Sequence, residues 1–254
     1  MRRFLSYNIR KENRCALKGK DKTMLEFGGL QKLTLLDFPG RVACTVFTKG
    51  CNLRCPFCHN ASLVLDPLNG PALSEAEFFD FLEKRRGMLT GVAVTGGEPL
   101  LQPWIDDVLR RVREMGYATK LDTNGCFPDR LRRVISEGLV DYVAMDIKNA
   151  PDRYGMTCGI KNFDLTPIFE SVDVLREGKV EYEFRTTAVK GFHRPEDMAA
   201  IGRWLGPVPH YYIQGFKDSG DLIGGSFEAF SEEETDALLA AVLPHIPAAE
   251  IRGR

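Results

Sequence analysis

The chain has 254 residues, of which 44% are hydrophobic and 27% charged, and its formal net charge at pH 7 is -1. This length can bury a sizeable core without disulfide staples, and the ordinary composition excludes a collagen, a coiled coil and a largely disordered chain. No apolar run approaches the roughly 20 residues that cross a bilayer, and the near-neutral charge gives no general case for nucleic-acid binding, so we expect neither a membrane nor a nucleic acid as partner.

The first 23 residues stand apart in charge. They hold eight basic and two acidic residues, a net charge of +6, so the remaining chain, with 26 basic and 33 acidic residues, carries -7. They lack the apolar stretch and cleavage site of a secretory signal. We predict that residues 1–23 are a basic extension outside the domain, either a disordered tail or a start assigned too early, with Met24 as the natural start. A basic arm that contacts an acidic partner is the alternative. The domain is expected at 24–254.

Strands alternate with helices along that domain. Short segments rich in β-branched or aromatic residues predict strands at 42–47, 91–95, 119–122, 142–146, 182–189 and 211–214. Apolar residues at helical spacing predict helices around 78–82 and 105–112, and at 128–137, 165–177, 195–205 and 231–243. Capping boxes mark two helix starts, Ser74 with Glu77 and Ser231 with Glu234.

This alternation predicts an α/β fold with a parallel sheet, because parallel strands need crossovers and helices supply them. An open doubly wound sheet and a partial or complete barrel both satisfy the pattern. Without a linker, repeat or low-complexity tract, we expect one domain.

Polar clusters follow the predicted strands where each strand ends. Segments 49–59, 95–99 and 122–125 follow the first three strands, and 146–148 ends the fourth. Arg185 lies in the fifth strand and Gln214 ends the sixth. Because active sites of parallel α/β proteins assemble at the carboxyl ends of the strands, we expect these residues to converge.

Three of the seven cysteines lie close together, at Cys51, Cys55 and Cys58, followed by His59. An odd number of cysteines argues against a disulfide framework, and thiolates at this spacing typically hold a metal. The spacing favours an iron–sulfur cluster with one iron left open, and it leaves a structural zinc site and a c-type haem as alternatives.

The other four cysteines suggest less. Cys44 lies in an apolar strand and is expected in the core. Cys126 follows a polar strand end near the predicted site, and a functional role there stays open. Cys15 and Cys158 have no assignable role in the sequence.

The form C-x-x-x-C-x-aromatic-C, with Phe57 before the third cysteine, resembles the radical S-adenosylmethionine (SAM) superfamily. Thr95-Gly96-Gly97-Glu98-Pro99 resembles that superfamily's glycine–glycine–glutamate–proline motif. The resemblance implies a partial (β/α)₆ TIM-like barrel, with a [4Fe–4S] cluster held by the three cysteines and SAM bound at the open iron.

Further motifs resemble the glycyl radical enzyme activases, which include the activating enzymes of pyruvate formate-lyase and of anaerobic ribonucleoside-triphosphate reductase. They are Leu36–Gly40, Cys58-His59-Asn60, Thr95–Leu101, Asp122-Thr123-Asn124-Gly125 and Asp146-Ile147-Lys148. The opening 29–40 resembles most the longer form of the reductase activators. Nothing like the ferredoxin-like insert of many other activases lies between His59 and Gly91.

The resemblance also implies residue roles. Gly96 and Gly97, with Glu98 nearby, accept hydrogen bonds from the ammonium of SAM, an ordinary tight turn being the structural alternative. The other candidate cofactor contacts are Phe57 near the adenine, Asp122, Thr123 and Asp146 for ribose-side groups or a monovalent cation, Lys148 and Arg185 for the methionine carboxylate, and His59, Asn124 and Gln214. For Asp122, Asp146, Lys148 and Arg185, a structural ion pair is the alternative.

The implied reaction is reductive cleavage of SAM to a 5′-deoxyadenosyl radical, which removes a hydrogen atom from a glycine of a partner enzyme. We expect a cytoplasmic oxidoreductase of anaerobic metabolism. Its predicted partners are anaerobic ribonucleoside-triphosphate reductase and a flavodoxin- or ferredoxin-type electron donor. A pyruvate formate-lyase-type activase, a radical SAM enzyme acting on a small molecule or modified base, and a zinc-stabilised binding protein without catalysis remain as alternatives.

Overall fold

The computed structural model of the protein describes residues 25–253. The predictions for residues 1–23, for Met24 as a natural start and for Cys15 concern residues outside this range. The described chain contains an eight-stranded sheet and a small two-stranded antiparallel sheet. The strands are β1 (Glu26–Phe27), β2 (Gly29–Thr34), β3 (Ala43–Thr48), β4 (Leu73–Ser74), β5 (Gly91–Gly96), β6 (Ala118–Thr123), β7 (Tyr142–Asp146), β8 (Glu181–Ala188), β9 (Tyr211–Gly215) and β10 (Ala249–Arg252).

The large sheet has the strand order β10-β9-β8-β7-β6-β5-β3-β2. Its seven strands from β10 to β3 run parallel, whereas β2 pairs antiparallel with β3 at one edge. Within residues 25–253, the edge strands β2 and β10 do not pair with each other. The barrel is therefore partial, as the resemblance implied, and the complete barrel is excluded.

Eight α-helices cover one face of this sheet and its ends. They are α1 (Ala61–Leu65), α2 (Glu75–Lys84), α3 (Ile105–Glu114), α4 (Pro128–Ser136), α5 (Tyr154–Cys158), α6 (Thr166–Arg176), α7 (Pro195–Leu205) and α8 (Glu232–Val242). Both predicted capping boxes are present: Ser74 Oγ accepts from the Glu77 amide at 3.2 Å, and the Ser231 hydroxyl accepts likewise from Glu234 at 3.2 Å. Among the described helices, none is long and apolar enough to cross a membrane.

The two faces of the sheet differ because side chains alternate along each strand. Leu121, Val143 and Phe184 are fully buried on the face that packs against the helices. Their neighbours Asp122 and Arg185 point to the opposite face, the inner face of the partial barrel, and line a cavity there. Because both faces of the parallel sheet are covered, consecutive residues along its strands are buried.

The turn after β2 closes the amino end of the barrel. Phe38 is buried against Ala43, with its ring centroid 6.2 Å from that of Tyr142. A Cβ at Gly91 would lie 2.8 Å from the Phe38 ring, so glycine is required at that first position of β5. Thr45 Oγ1 donates to Asp37 at 2.5 Å and fixes the turn.

The six predicted strands are confirmed with ends shifted by at most one residue, and the six predicted helices are confirmed as well. Helices α2 and α3 extend two or three residues beyond the ranges predicted for them, and the ends of the other four helices agree to within one residue. The sequence did not reveal β1, β2, β4, β10, α1 or α5. Strands β1 and β4 have two residues each and helices α1 and α5 five, which is too short for a periodic pattern. Strand β2 is an edge strand with three consecutive exposed residues, so it lacks the alternation that marks a half-buried strand.

Candidate functional site

A cavity of about 250 Å³ opens at the carboxyl edge of the parallel sheet. All the residues that the sequence nominated for the cluster or the cofactor line it, namely Cys51, Cys55, Phe57, Cys58, His59, Gly96, Gly97, Glu98, Asp122, Thr123, Asn124, Asp146, Lys148, Arg185 and Gln214. Leu53, Val64 and Thr187, which the sequence did not nominate, also line it. The fold thus brings motifs from six strand ends to one place.

The three clustered cysteines lie on the loop that follows β3, which we call the cysteine loop (residues 49–60). The Cys58 amide donates to the Cys55 carbonyl at 3.0 Å, which gives the loop a tight turn. The Cys51 sulfur accepts from the Leu53 amide at 3.4 Å and from Asn124 Nδ2 at 3.7 Å. Hydrogen bonds of the loop itself and of the β6 end therefore orient the first thiol.

The protein environment sets different pKa values for the three thiols. Burial raises the pKa of Cys51 to about 12, and it also raises the pKa of Cys58. A hydrogen bond from the Cys158 side chain lowers the pKa of Cys55, although burial opposes this shift. Binding of iron would consequently release protons from Cys51 and Cys58, since the metal ligand is the thiolate.

The spacing of these thiols bears on the choice between zinc and a cluster. Among residues 25–253, no three His, Cys, Asp or Glu side chains are arranged to hold one metal ion. A structural zinc site needs four ligands that converge on a single ion. An iron–sulfur cluster is larger and takes each cysteine on a separate iron, so the three thiols around the cavity fit a cluster better.

Glycines bring the end of β5 against the cysteine loop. The Gly97 amide donates to the Thr48 carbonyl at 2.9 Å, and the Glu98 amide donates to the Gly50 carbonyl at 2.9 Å. Gly96 has φ +107°, and a Cβ at Gly97 would overlap the Gly50 carbonyl. This close approach requires glycine and brings the backbone of 96–97 to the cavity wall.

Glu98 is fully buried and connects β5 to β6. Its Oε1 accepts from Thr123 Oγ1 at 2.9 Å and from the Leu100 amide at 3.0 Å, and its Oε2 accepts from the Asn124 amide at 2.7 Å. Burial raises the pKa of Glu98 to about 7 despite these bonds. Because both carboxylate oxygens already have donors, Glu98 acts mainly by holding the ends of the two strands together.

Four charged residues on the inner face form what we call the site cluster: Asp122, Asp146, Lys148 and Arg185. Arg185 bridges the two carboxylates, with Nε 2.5 Å from Asp146 Oδ1 and an Nη atom 3.0 Å from Asp122 Oδ2. Lys148 Nζ lies 2.7 Å from Asp146 Oδ2. Alternating charges thus run from β6 to the end of β7 and finish at the Lys148 ammonium, which faces the cavity.

The pKa shifts of the site cluster follow from these pairs. Burial opposes ionisation of both aspartates, but Arg185 outweighs it and holds their pKa values below the usual range. Burial likewise opposes the charge on Lys148, and Asp146 outweighs it, so the pKa of Lys148 is raised. All four groups are therefore charged at neutral pH.

The inner face also carries charged residues that the sequence did not nominate. Lys120 is 1% exposed and bonds Asp122 Oδ1 from the same strand face. Farther from the cavity, Glu183 is fully buried, accepts two hydrogen bonds from Arg252 at 2.6 and 2.7 Å, and accepts another from Tyr142 at 2.9 Å. We call Tyr142, Glu183 and Arg252 the closed cluster. For these charged residues the sequence offered one indication only, that Lys120 lies two residues before Asp122 on the same strand.

Aromatic rings form the wall of the cavity beside the third cysteine. Phe57 is buried, with its ring 5.1 Å from that of Phe192 and 6.5 Å from that of Phe227. The ring of His59 lies 5.2 Å from that of Phe216, and its Nε2 is buried with no hydrogen-bond partner among the described residues. Burial lowers the pKa of His59, so a neutral imidazole with an unused polar atom lines the cavity.

Comparison with known proteins agrees with this geometry. The sequence profile of the Radical SAM superfamily matches residues 45–205, which include the cysteine loop and five of the parallel strands. A Methanocaldococcus jannaschii protein, provisionally named a glycyl-radical enzyme activating enzyme, is 32% identical over 200 residues, which cover 76% of this chain and 81% of that protein.

Two further proteins are similar over part of their length. The pyruvate formate-lyase-activating enzyme of Clostridium pasteurianum is 32% identical over 147 residues, which cover 53% of this chain and 58% of that enzyme. The crystal structure of Streptococcus suis SuiB bound to its precursor peptide SuiA has a TM-score of 0.62 at 11% identity, covering 82% of this chain and 48% of that one. At that identity the likeness shows the fold alone.

Proposed function

This chain belongs to the Radical SAM superfamily, and we propose that it is an enzyme that installs a glycyl radical on a partner protein. The observation that carries the proposal is the cavity itself, where the three cysteines, the Gly96–Gly97 backbone and the site cluster face one another. The similarity to enzymes named for activating glycyl radical enzymes supports the substrate class.

The residues around the cavity fit a [4Fe–4S] cluster held by three thiolates. Cys51, Cys55 and Cys58 all line the cavity, and their loop is fixed by backbone hydrogen bonds on both sides. Lys148 lies close enough to all three to favour their thiolate forms electrostatically. We infer that these three residues hold the cluster and that one iron stays open for SAM.

The remaining lining offers complementary groups for SAM. Its ammonium needs acceptors, which the exposed backbone at Gly96 and Gly97 supplies, and its carboxylate needs a cation, which Lys148 supplies. Phe57 and His59 provide an aromatic wall and an unused ring nitrogen for the adenine. These assignments put the methionine end beside Gly96, Gly97 and Lys148, and the nucleoside end beside the rings of Phe57 and His59.

A bound cluster and SAM would supply the radical chemistry, namely reductive cleavage of SAM and removal of a hydrogen atom from a glycine of the partner. The chain's own residues bind, orient and shield. Arg185 holds the two aspartates in place, and Phe57 is buried with Val189 and Phe216 beside the third cysteine.

A monovalent cation gains no support from the arrangement of the aspartates. Both oxygens of Asp122 and both of Asp146 already bond a side-chain cation, supplied by Lys120, Arg185 and Lys148. These residues leave no free carboxylate oxygen for such an ion, and the proposed reaction does not include one.

The choice of anaerobic ribonucleoside-triphosphate reductase as the partner rests on the segment 29–40. In the structure this segment forms β2 and the turn that closes the barrel, with Phe38 in the core. The segment therefore has a structural role and does not line the cavity. It supports the choice of subfamily and adds no residue to the site. The reducing conditions that such a partner and a flavodoxin- or ferredoxin-type donor require favour the cytoplasm.

The test is anaerobic reconstitution with iron and sulfide, followed by reduction in the presence of SAM. We expect about four irons per chain, release of methionine and 5′-deoxyadenosine, and a glycyl electron-spin signal when anaerobic ribonucleoside-triphosphate reductase is added. A signal with pyruvate formate-lyase instead would change the partner. SAM cleavage without a signal on either enzyme would favour a small-molecule substrate. A colourless protein with stoichiometric zinc and no SAM cleavage would refute the proposal.

A further inference from the structure

Asn124, which follows the end of β6, is held in one orientation by its neighbours. Its side chain is buried, and its backbone amide donates to Glu98 Oε2 at 2.7 Å. Its Oδ1 accepts a hydrogen bond from the backbone amide of Cys126 at 3.0 Å. Because a backbone N–H can only donate, this contact decides which end of the side-chain amide is the oxygen. The nitrogen, Nδ2, must therefore point the other way.

That direction leads to the cysteine loop. Nδ2 donates to Asn52 Oδ1 at 2.9 Å and lies 3.7 Å from the Cys51 sulfur, a hydrogen-bonding distance for the larger sulfur atom. An amide nitrogen carries two hydrogens, so it can serve both acceptors. The Leu53 amide, at 3.4 Å from the same sulfur, is the donor that the loop itself provides. Cys51 thus receives a second donor from a different strand end.

We propose that Asn124 is a positioning residue that donates a hydrogen bond to the Cys51 sulfur in the cluster-loaded enzyme and thereby raises the reduction potential of the cluster. Cys51 gives up its own proton when it binds iron, so its sulfur can then only accept. Hydrogen bonds to cluster sulfurs favour the reduced state, because reduction adds negative charge there. The inference rests on the proposed function, since it requires a cluster on Cys51.

This role is directed toward the cluster and not toward SAM. Both ends of the Asn124 side-chain amide already have partners in the protein, on Cys126, Asn52 and Cys51. The inferred hydrogen bond therefore replaces the direct contact with SAM that the motif predicts for this residue. A change in the potential should accordingly be measurable without SAM.

The chain offers a matched control in Asn149. This asparagine is also fully buried, and its Oδ1 accepts from the Ala150 amide at 2.7 Å. Its Nδ2 donates to Thr157 Oγ1 at 2.8 Å and to the Phe192 carbonyl at 2.9 Å, and it does not line the cavity. Asn149→Ala removes a buried amide of the same kind that has no sulfur as a partner.

The experiment is a redox titration of the reconstituted holoenzymes without SAM, with the reduced cluster followed by electron-spin resonance and iron counted in each variant. We expect Asn124→Ala to lower the ratio of reduced to oxidised cluster at a fixed potential by about two- to tenfold, as the loss of one hydrogen bond would. Asn124→Asp keeps an acceptor for the Cys126 amide but puts a negative oxygen in place of Nδ2. It should lower the ratio at least as much, and Asn149→Ala should match the wild type.

Equal ratios in the wild type and Asn124→Ala, at equal iron content, would overturn the inference and leave the proposed function standing. So would an equal shift in Asn149→Ala, because the effect would then come from disturbed packing. If Asn124→Ala fails to load iron, Asn124→Asp decides, and a ratio equal to or above that of the wild type would overturn the inference. Loss of the cluster in both variants would also overturn it, since Asn124 would then be needed for assembly. A wild-type protein that binds no cluster would refute both proposals.

Discussion

The inner face of the partial barrel carries two charged clusters, and their bonding differs. In the closed cluster, Glu183 receives every donor of the group: two nitrogens from Arg252 and the Tyr142 hydroxyl. In the site cluster, the chain of ion pairs ends at the Lys148 ammonium beside the cavity. A closed set of buried charges can only stabilise the fold or cost it stability, whereas an open set keeps a charge available to a ligand.

The largest expected effect comes from the thiols beside the site cluster. Replacement of Cys51, Cys55 or Cys58 by alanine should abolish SAM cleavage and lower the iron content after reconstitution, because each removes one proposed ligand. Cys44→Ala is the control, since Cys44 is a fully buried cysteine of β3 that does not line the cavity. Equal losses in Cys44→Ala would contradict the site assignment.

Arg185→Gln should have the next largest effect. It removes the cation that Asp122 and Asp146 share and leaves each with one lysine, Lys120 for Asp122 and Lys148 for Asp146. Breaking a buried ion pair costs about 3–5 kcal/mol. We expect SAM cleavage to fall by at least about 100-fold, which corresponds to about 2.7 kcal/mol, just below that range. Arg185→Lys should recover little, because one ammonium cannot bond both carboxylates in this geometry. Product formation and SAM affinity are the measurements.

Glu183→Gln tests the closed cluster. Removal of its charge leaves Arg252 without its partner, and we expect the free energy of unfolding to fall by about 1–3 kcal/mol. The turnover of the folded, iron-loaded protein should change less than twofold, since the closed cluster does not line the cavity. Chemical denaturation measures the first quantity. A loss of turnover as large as that of Arg185→Gln would show that the two clusters act as one.

The last expected effect is a pH dependence of the stability that comes from Glu98. Its pKa of about 7 in the folded state lies above the ordinary value of 4.5 for a glutamate, so the folded protein binds more protons between these two values. Its contribution to stability is therefore present below about pH 4.5 and is lost as pH rises to 7. Burial lowers the pKa values of His59 and His193, so these two residues make the stability rise with pH. Their contribution is the same in the wild type and in a Glu98 variant.

The measurement for Glu98 is the difference in unfolding free energy between the wild type and Glu98→Gln, in one loading state, from pH 4.5 to 7. This difference isolates the carboxylate, because the histidines are common to both. We expect the wild type to lose stability relative to the variant as pH rises. A flat difference would mean that Glu98 titrates as an ordinary carboxyl group.

Local sequence patterns predicted the main strands and helices and the residues that line the cavity. Strand ends and capping boxes are local features, and the carboxyl-edge rule converts six strand ends into one site. Lys120, Arg252 and Cys158 could not be assigned in this way. Their partners lie on other elements or depend on side-chain direction, and only the register of the sheet and the position of α5 bring them into contact.

The roles of individual site residues were harder to predict than their location. Glu98 belongs to the motif that the sequence singled out for the SAM ammonium, yet its two oxygens bond Thr123, Asn124 and the Leu100 amide. A sequence motif shows that a side chain is needed at a site, but it does not show which neighbour uses that side chain.

The attachment of the cysteine loop on both sides has a consequence for cluster repair. Hydrogen bonds from the protein itself hold this loop at Gly50 through the β5 end, at Arg54 through α5 and at Pro56 through the Gly224 amide. Its conformational entropy is therefore lost when the chain folds and not when iron arrives, unlike in domains that fold around their metal. A cluster destroyed by oxygen could then be replaced without unfolding and refolding the chain.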